Sequence, residues 1–264
     1  MIFFTLSDIG KVRRNNEDYA ESFAFESCNP DGSFDKMMVM LLCDGMGGGP
    51  AGERASYLAV KTMKNSIVDD FFVKGQKYEN AVLLDHIDRY IQMAHFHIYK
   101  EGMEDQSLYG MGTTIVAGIV LNDSLLLSHV GDSRGYCYNK KGLDQLTKDH
   151  SLVQQYVDEG KITADEAFRH PQKNIITRVL GPGNGAPVKV DKKEVPLKNG
   201  DIIMFCTDGL CGVLEKTIIN DIFKKNYNPR GTDLKALANQ LVKAAYEKGG
   251  SDNITVSLYQ HITK

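Results

Sequence analysis

Aspartate falls repeatedly where an apolar run stops. Met38–Cys43 runs into Asp44-Gly45, Leu125–Val130 into Gly131-Asp132, and Ile202–Thr207 into Asp208-Gly209. Asp252-Asn253 stands immediately before the run Ile254–Tyr259, and Glu17-Asp18 follow the first run, Ile2–Leu6, by a short loop. If these runs are strands of antiparallel neighbours, their acidic ends can meet at one edge of the sheets. Carboxylates gathered that closely repel one another and lose hydration, so the cluster is stable only when protons or cations compensate it. Oxygen donors without a Cys/His set at zinc spacing select Mg²⁺ or Mn²⁺. A single Asp-Gly after a strand is also an ordinary turn; the argument rests on the recurrence.

The run Asp44–Ala55, DGMGGGPAGERA, adds a second signal. Glycine lets a main-chain carbonyl, here that of Gly45, approach a metal closely, and it frees amides for anions. The same run admits a rival reading, because Gly47, Gly49 and Gly52 spell GxGxxG, with Asp69 and Asp70 near the distance of a ribose contact. Pro50 interrupts that fingerprint, Asp44 would face an anionic pyrophosphate, and the strands downstream are hairpin-linked and not βαβ. No GK[ST] follows, which excludes a P-loop.

The elements that must position these carboxylates are legible as periodicity. Strand-length runs occur at Ile2–Leu6, Met37–Cys43, Thr114–Leu121, Ser124–Val130, Ile202–Cys206 and Ile254–Tyr259. Short polar turns between Thr113 and Leu146 predict an antiparallel meander, since a parallel crossover needs a dozen or more residues. Helical spacing predicts Gly52–Val68, His86–Lys100 capped by Asp85, Lys216–Lys225, and Leu234–Lys248 capped by Thr232-Asp233 and stopped at Gly249-Gly250. Ser151–Gly160 and Thr163–Phe168 read as shorter, polar helices. Strands grouped together with helices around them predict an α+β fold.

Composition narrows the function. The 264 residues carry 31 Lys+Arg against 34 Asp+Glu, a net charge of −3, so no global basic field exists for nucleic-acid binding. Hydrophobic content of 42% and charged content of 25% are those of a globular chain. No stretch approaches membrane-spanning length, and the start MIFFTLSDIGKVRRNNED reverses the charge order of a signal peptide. Five cysteines without a CxxC pair fit a reduced, cytoplasmic setting.

Eight short segments in order resemble the metal-dependent protein phosphatases, the type 2C protein Ser/Thr phosphatases, in their compact bacterial branch. They are SDIGKVRRNNED (Ser7–Asp18), DGMGG (Asp44–Gly48), GMGTT (Gly110–Thr114), VGDSRGY (Val130–Tyr136), KDHS (Lys148–Ser151), HPQKNIITRVLG (His170–Gly181), TDGL (Thr207–Leu210) and SDNIT (Ser251–Thr255). The resemblance implies a four-layer αββα sandwich, two antiparallel sheets flanked by helices, as one catalytic domain over 1–264 with a flap segment at about 148–181. It implies that Asp44 bridges two Mn²⁺ or Mg²⁺ ions, that the Gly45 carbonyl binds one, and that Asp208 and Asp252 complete the other. Asp132 matches the ligand of a third ion, Glu17 and Asp18 match positions that hold water on the metals, and Arg13 matches the residue that grips the substrate phosphate. The activity implied is hydrolysis of phosphoserine and phosphothreonine on proteins by activated water, without a phosphoenzyme. Phosphorylated proteins and a cognate Ser/Thr kinase are the implied partners, with neither nucleic acid nor membrane, and the chain is expected to be a monomer.

The sequence departs from that family at one chemical position. The His that usually follows DGMGG, proposed to protonate the leaving alkoxide, is Gly49, and the alternative position after Asp-Gly is Met46. A weakly active or non-catalytic phosphoprotein-binding relative is therefore the alternative reading. His95 and His97 lie two apart on a predicted helix and cannot share a face. His129 reads as packing or polar support, while His150 and His170 fall in flap motifs within reach of substrate.

Overall fold

The computed structural model describes residues 2–28, 34–47, 50–75 and 78–263. In chain order, β1 (Ile2–Asp8), β2 (Asp18–Cys28) and β3 (Phe34–Met46) lead into helices α1 (Pro50–Val68) and α2 (Asn80–Glu104). Strands β4 (Gly112–Thr113), β5 (Ile115–Leu121), β6 (Ser124–Val130), β7 (Arg134–Asn139) and β8 (Gly142–Gln145) follow, then short helices α3 (Leu152–Asp158) and α4 (Ala164–Arg169). The chain closes with β9 (Asp191–Pro196), β10 (Ile202–Cys206), α5 (Asp208–Cys211), α6 (Lys216–Asn226), α7 (Leu234–Glu247) and β11 (Ile254–Gln260). The described strands form two antiparallel sheets, ordered β1-β11-β10-β7-β8 and β2-β3-β5-β6-β9, with β4 added to β3. This is the α+β fold that the periodicity predicts, in the sandwich flanked by helices that the resemblance implies.

Strand periodicity explains the layering. In β3, Met37, Val39, Leu41 and Cys43 pack against α1 and α2, whereas Met38, Met40 and Leu42 pack between the sheets. In β10, Ile202, Met204 and Cys206 face α6 and α7, whereas Ile203 and Phe205 face inward. A strand covered on both faces reads as an unbroken apolar run, which is why these strands stand out in the sequence. Phe205 is fully buried at the centre, and a Cβ placed on Gly118 would lie 2.6 Å from its ring.

Two expectations need correction, and two strands were not expected. The meander holds only as two separate hairpins, β5–β6 and β7–β8, which lie in different sheets. Between them Gly131 turns the chain from one sheet into the other with φ at 112°, a conformation open to glycine, while the Thr114 side chain fills the space a Cβ would need. Asp85 does not cap α2, which starts at Asn80; Asp85 sits within the helix and pairs with Lys192 at 2.9 Å. Strands β2 and β9 escape sequence detection because the inward positions of β2 are Ala20, Ser22 and Ala24, and β9 is charged. By contrast, Asp233 caps α7 by accepting from the Ala236 amide, and Gly249 and Gly250 stop it in the left-handed region, as predicted.

Because Phe205 packs with inward residues of both sheets, Phe205→Ala is expected to cost about 3–5 kcal/mol in urea unfolding; a loss below about 1 kcal/mol would contradict its central position.

Candidate metal centre

The acidic residues converge because strand ends converge. Asp18, the first residue of β2, is the direct register partner of Asp44 near the end of β3. Asp208 follows β10 by one residue, Asp252 precedes β11 by one, and these two strands are neighbours. Backbone contacts then fix the ends. The Asp44 carbonyl accepts from the Thr114 amide at 2.9 Å and from Thr113 Oγ1 at 2.8 Å, and the Asp44 amide donates to Thr114 Oγ1 at 3.0 Å. The Gly45 amide donates to the Glu17 carbonyl at 3.1 Å. A Cβ on Gly45 would sit 2.1 Å from the Gly52 carbonyl oxygen and 2.6 Å from that of Glu17, so only glycine permits this approach.

Two residues that sequence reasoning did not single out hold the centre together. Buried Asn253 donates through Nδ2 to the carbonyls of Ile9 and Asn15, both at 2.9 Å, and accepts from the Glu17 amide at 2.8 Å. One side chain thus ties the loop carrying Arg13, Glu17 and Asp18 to the residue after Asp252. Thr207 Oγ1 donates to Asp18 Oδ2 at 2.9 Å and accepts from the Thr255 amide at 3.0 Å, joining β2, β10 and β11 at one carboxylate. Both residues lie inside recognised motifs; what marks them is the distance in sequence of the groups they bond, which local patterns do not carry.

The electrostatics are those of a cluster short of positive charge. Burial pushes the Asp44 carboxyl well above the usual carboxylate range, and Asp18, Asp208, Asp132 and Asp252 push it further. Burial raises Asp18 to about 7 against the opposing pull of its hydroxyl donors, and Asp132 to about 8, with Asp208 adding to both. Asp208 and Glu17 are also raised, chiefly by burial. Arg13 donates to Asp252 Oδ2 at 2.8 Å and lies 3.9 Å from Glu17 Oε2, with nearly half of its side chain exposed. One guanidinium cannot neutralise this set. Asp132 Oδ1 is buried without a hydrogen-bond partner among the described residues. An orphaned carboxylate oxygen within an oxygen-only, over-charged cluster fits divalent cations. Gly49, which replaces the expected proton-donating His, lies outside the described residues, as does Gly48.

Beside Asp132 and Asp208 opens a cavity of about 400 Å³, walled by the 148–181 segment through Val153, Phe168 and Lys173 and by Gly212. Lys173 Nζ donates to the Gly212 carbonyl at 2.9 Å, and Arg169 pairs with Glu215 at 3.2 Å, latching that segment to the stretch after Asp208. Three further histidines make local contacts: His95 Nδ1 accepts from the Gly181 amide, exposed His97 meets Thr62, and His170 accepts from the Gln172 amide. Every paired strand among the described residues is antiparallel, and Gly52 packs on Gly45 and Glu17, which removes the dinucleotide reading of Gly47–Gly52.

Comparison with known proteins agrees with this geometry. A family profile described as Protein phosphatase 2C matches residues 27–247. The chain belongs to the protein phosphatase 2C family. It is 33% identical over 255 residues to the serine/threonine phosphatase stp of Listeria welshimeri, covering 96% of this chain and 93% of that one. It superposes on the serine/threonine phosphatase Stp1 from Staphylococcus aureus with a TM-score of 0.85 at 30% identity, covering 99% of this chain and 95% of that one. The catalytic domain of the serine/threonine protein phosphatase PstP, solved in complex with 2 manganese ions, matches with a TM-score of 0.80 at 30% identity over 99% of this chain and 98% of that one. Within this phosphatase 2C chain, the acidic rim is the feature that a bound cation would complete.

Without divalent ions, the folded chain binds more protons than the unfolded one between about pH 4, where free aspartate titrates, and the values of about 7 and 8 at Asp18 and Asp132. Its stability therefore falls as pH rises through that window. In chelator, Tm is expected to drop from about pH 5 to about pH 8, and Mn²⁺ should remove the drop; identical slopes with and without the ion would refute cation compensation.

Proposed function

We propose that this phosphatase 2C chain hydrolyses phosphoserine and phosphothreonine on proteins in a reaction dependent on Mn²⁺ or Mg²⁺. The single observation that carries this reading is the acidic rim: carboxylates from separate strand ends, raised by burial and by one another, with one buried oxygen left without a partner. In this reading Asp44, the Gly45 carbonyl, Asp208 and Asp252 would hold the two ions, and Asp132 would hold a third. When bound, divalent ions supply an activated water and neutralise the phosphoryl oxygens.

The chain's own groups supply the rest. Arg13 binds the phosphoryl group in a bidentate pair, and it reaches the site already oriented by Asp252 and Glu17. Thr207 keeps Asp18 turned toward the rim as an acceptor for water, and Glu17 is held beside it by Asn253. Attack by water needs no protein nucleophile, and Cys206 and Cys211, the nearest thiols in sequence to Asp208, are buried. The segment 148–181 acts as the flap that shapes substrate choice. The protein works as a single cytoplasmic catalytic domain and a monomer, with a Ser/Thr kinase as its counterpart in signalling. Gly49 leaves the leaving alkoxide to take its proton from water, which favours phosphoesters with acidic leaving groups.

Phosphate release from a phosphothreonine peptide should require Mn²⁺ and vanish in EDTA or in Asp208→Asn, while Arg13→Ala should lower kcat/KM by about 10- to 100-fold; unchanged turnover in EDTA would sink the proposal. A Gly49→His variant is expected to raise peptide turnover by about tenfold or more, because general acid catalysis contributes 10²–10⁴-fold, and to leave p-nitrophenyl phosphate nearly unchanged. An equal rise for both substrates would show that proton donation is not what the glycine removed.

A further inference from the structure

His150 belongs to the segment that walls the cavity, yet its ring is buried and is not among the cavity lining. It stacks on His129 of β6 with centroids 4.8 Å apart and planes 12° from parallel. From there it engages one residue twice. The His150 amide donates to the Gly131 carbonyl at 2.9 Å, and the Gly131 amide donates to His150 Nδ1 at 3.0 Å. Both backbone polar groups of Gly131 are thus bound by a single residue of the flap segment. Gly131 is the positive-φ turn between the sheets, and the next residue is Asp132, with its partnerless buried oxygen.

With Nδ1 accepting, the neutral ring carries its proton on Nε2, which faces Asp191 Oδ2 at 3.5 Å. Arg178 Nη1 lies 2.8 Å from Nε2 and can only donate there, so it competes with the Gly131 amide for the single lone pair of the neutral ring; Asp191 Oδ1 at 2.8 Å and the Lys189 carbonyl at 3.2 Å are the other acceptors for its two Nη1 hydrogens. Burial, His129 and this guanidinium hold the imidazole down at about 4, so a second proton does not compete for Nδ1. Ligand-type atoms of His129, His150 and Asp191 lie within 4.8 Å of one another, as a metal site would require. With the ring's one lone pair on Nδ1 facing Gly131, none is left for an ion, and the Arg178 cation holds the carboxylate. The cluster is a buttress.

We propose that His150 is a positioning residue that acts through Gly131 to hold the Asp132 carboxylate in the acidic rim, coupling the seating of the 148–181 segment to that carboxylate. The inference rests on the reading of Asp132 as a metal ligand. Its test is Mn²⁺ titration by calorimetry on the full chain, with thermal unfolding of each variant alongside. Asp132→Asn identifies the ion that Asp132 serves. Asparagine at 150 places an acceptor near the Nδ1 position, whereas glutamine places it near Nε2. His150→Asn is expected to bind Mn²⁺ as the native chain does, and His150→Gln to weaken about tenfold the same ion that Asp132→Asn weakens, with the other ions unchanged. If both His150 variants weaken binding alike, or neither does while Asp132→Asn does, the clamp is overturned and the metal reading stands. If Asp132→Asn changes nothing, the metal reading of Asp132 falls and takes the clamp with it. Should His150→Gln fail to fold, the ¹⁵N shifts of His150 in the native chain decide: an unprotonated Nδ1 at neutral pH supports the clamp, and a protonated one overturns it.

Discussion

Mutual repulsion among buried carboxylates is the constraint on which this structure turns. A charge removed from water costs several kcal/mol unless something compensates it, and here Asp18, Asp44, Asp132 and Asp208 are all raised chiefly by burial, with neighbouring carboxylates adding to the shift. Such a cluster can persist only on a scaffold that does not open to relieve it. The interior between the sheets, with Met38, Met40, Leu42, Ile203 and Phe205 from facing strands, provides that rigidity. Placing the charges at strand ends and not mid-strand leaves them next to solvent, where ions and substrate can arrive. The apolar core and the acidic rim are successive stretches of the same strands.

Rigidity of the strands would not suffice without cross-links at their ends, where backbone pairing stops. Asn253 and Thr207 supply them, each bonding groups that are distant in sequence. Neither residue needs to touch substrate to matter: a displaced Asp18 or Glu17 would reorient the water and phosphate around it. Glycine serves the same end at Gly45, where three backbone segments meet closer than a side chain allows.

These relations divide what the sequence makes legible from what it does not. β3 and β10 are readable as runs because both faces are covered, and their terminal Asp residues are readable because polarity changes abruptly there. β2 is not, since its inward positions carry Ala20, Ser22 and Ala24, and Ser22 is satisfied by Thr5 and Ser257 from the opposite sheet. The turn at Gly131–Ser133 has the composition of a hairpin but changes sheets, a distinction made by backbone direction and by Thr114 and not by local residue type. The acidic residues at the strand ends were therefore accessible from spacing, whereas the bonds that Asn253, Thr207 and His150 make across the fold were not.

Gly49 gives the arrangement its particular character. Charge neutralisation and water activation act on the attacking side and on the phosphoryl oxygens, whereas a general acid acts on the leaving oxygen. In the proposed reading the second function is missing and the first is intact, so the acidic rim keeps a purpose even where no residue donates a proton to the alkoxide. The burden then shifts to how the phosphoresidue is oriented, because a leaving oxygen open to water can be protonated from solvent. The segment 148–181, which in the proposed reading shapes this orientation, is tied to the stretch after Asp208 through Lys173 and to Gly131 through His150. A chain lacking the dedicated acid depends correspondingly more on the seating of that wall, and both of its attachments lead to residues adjoining the acidic rim.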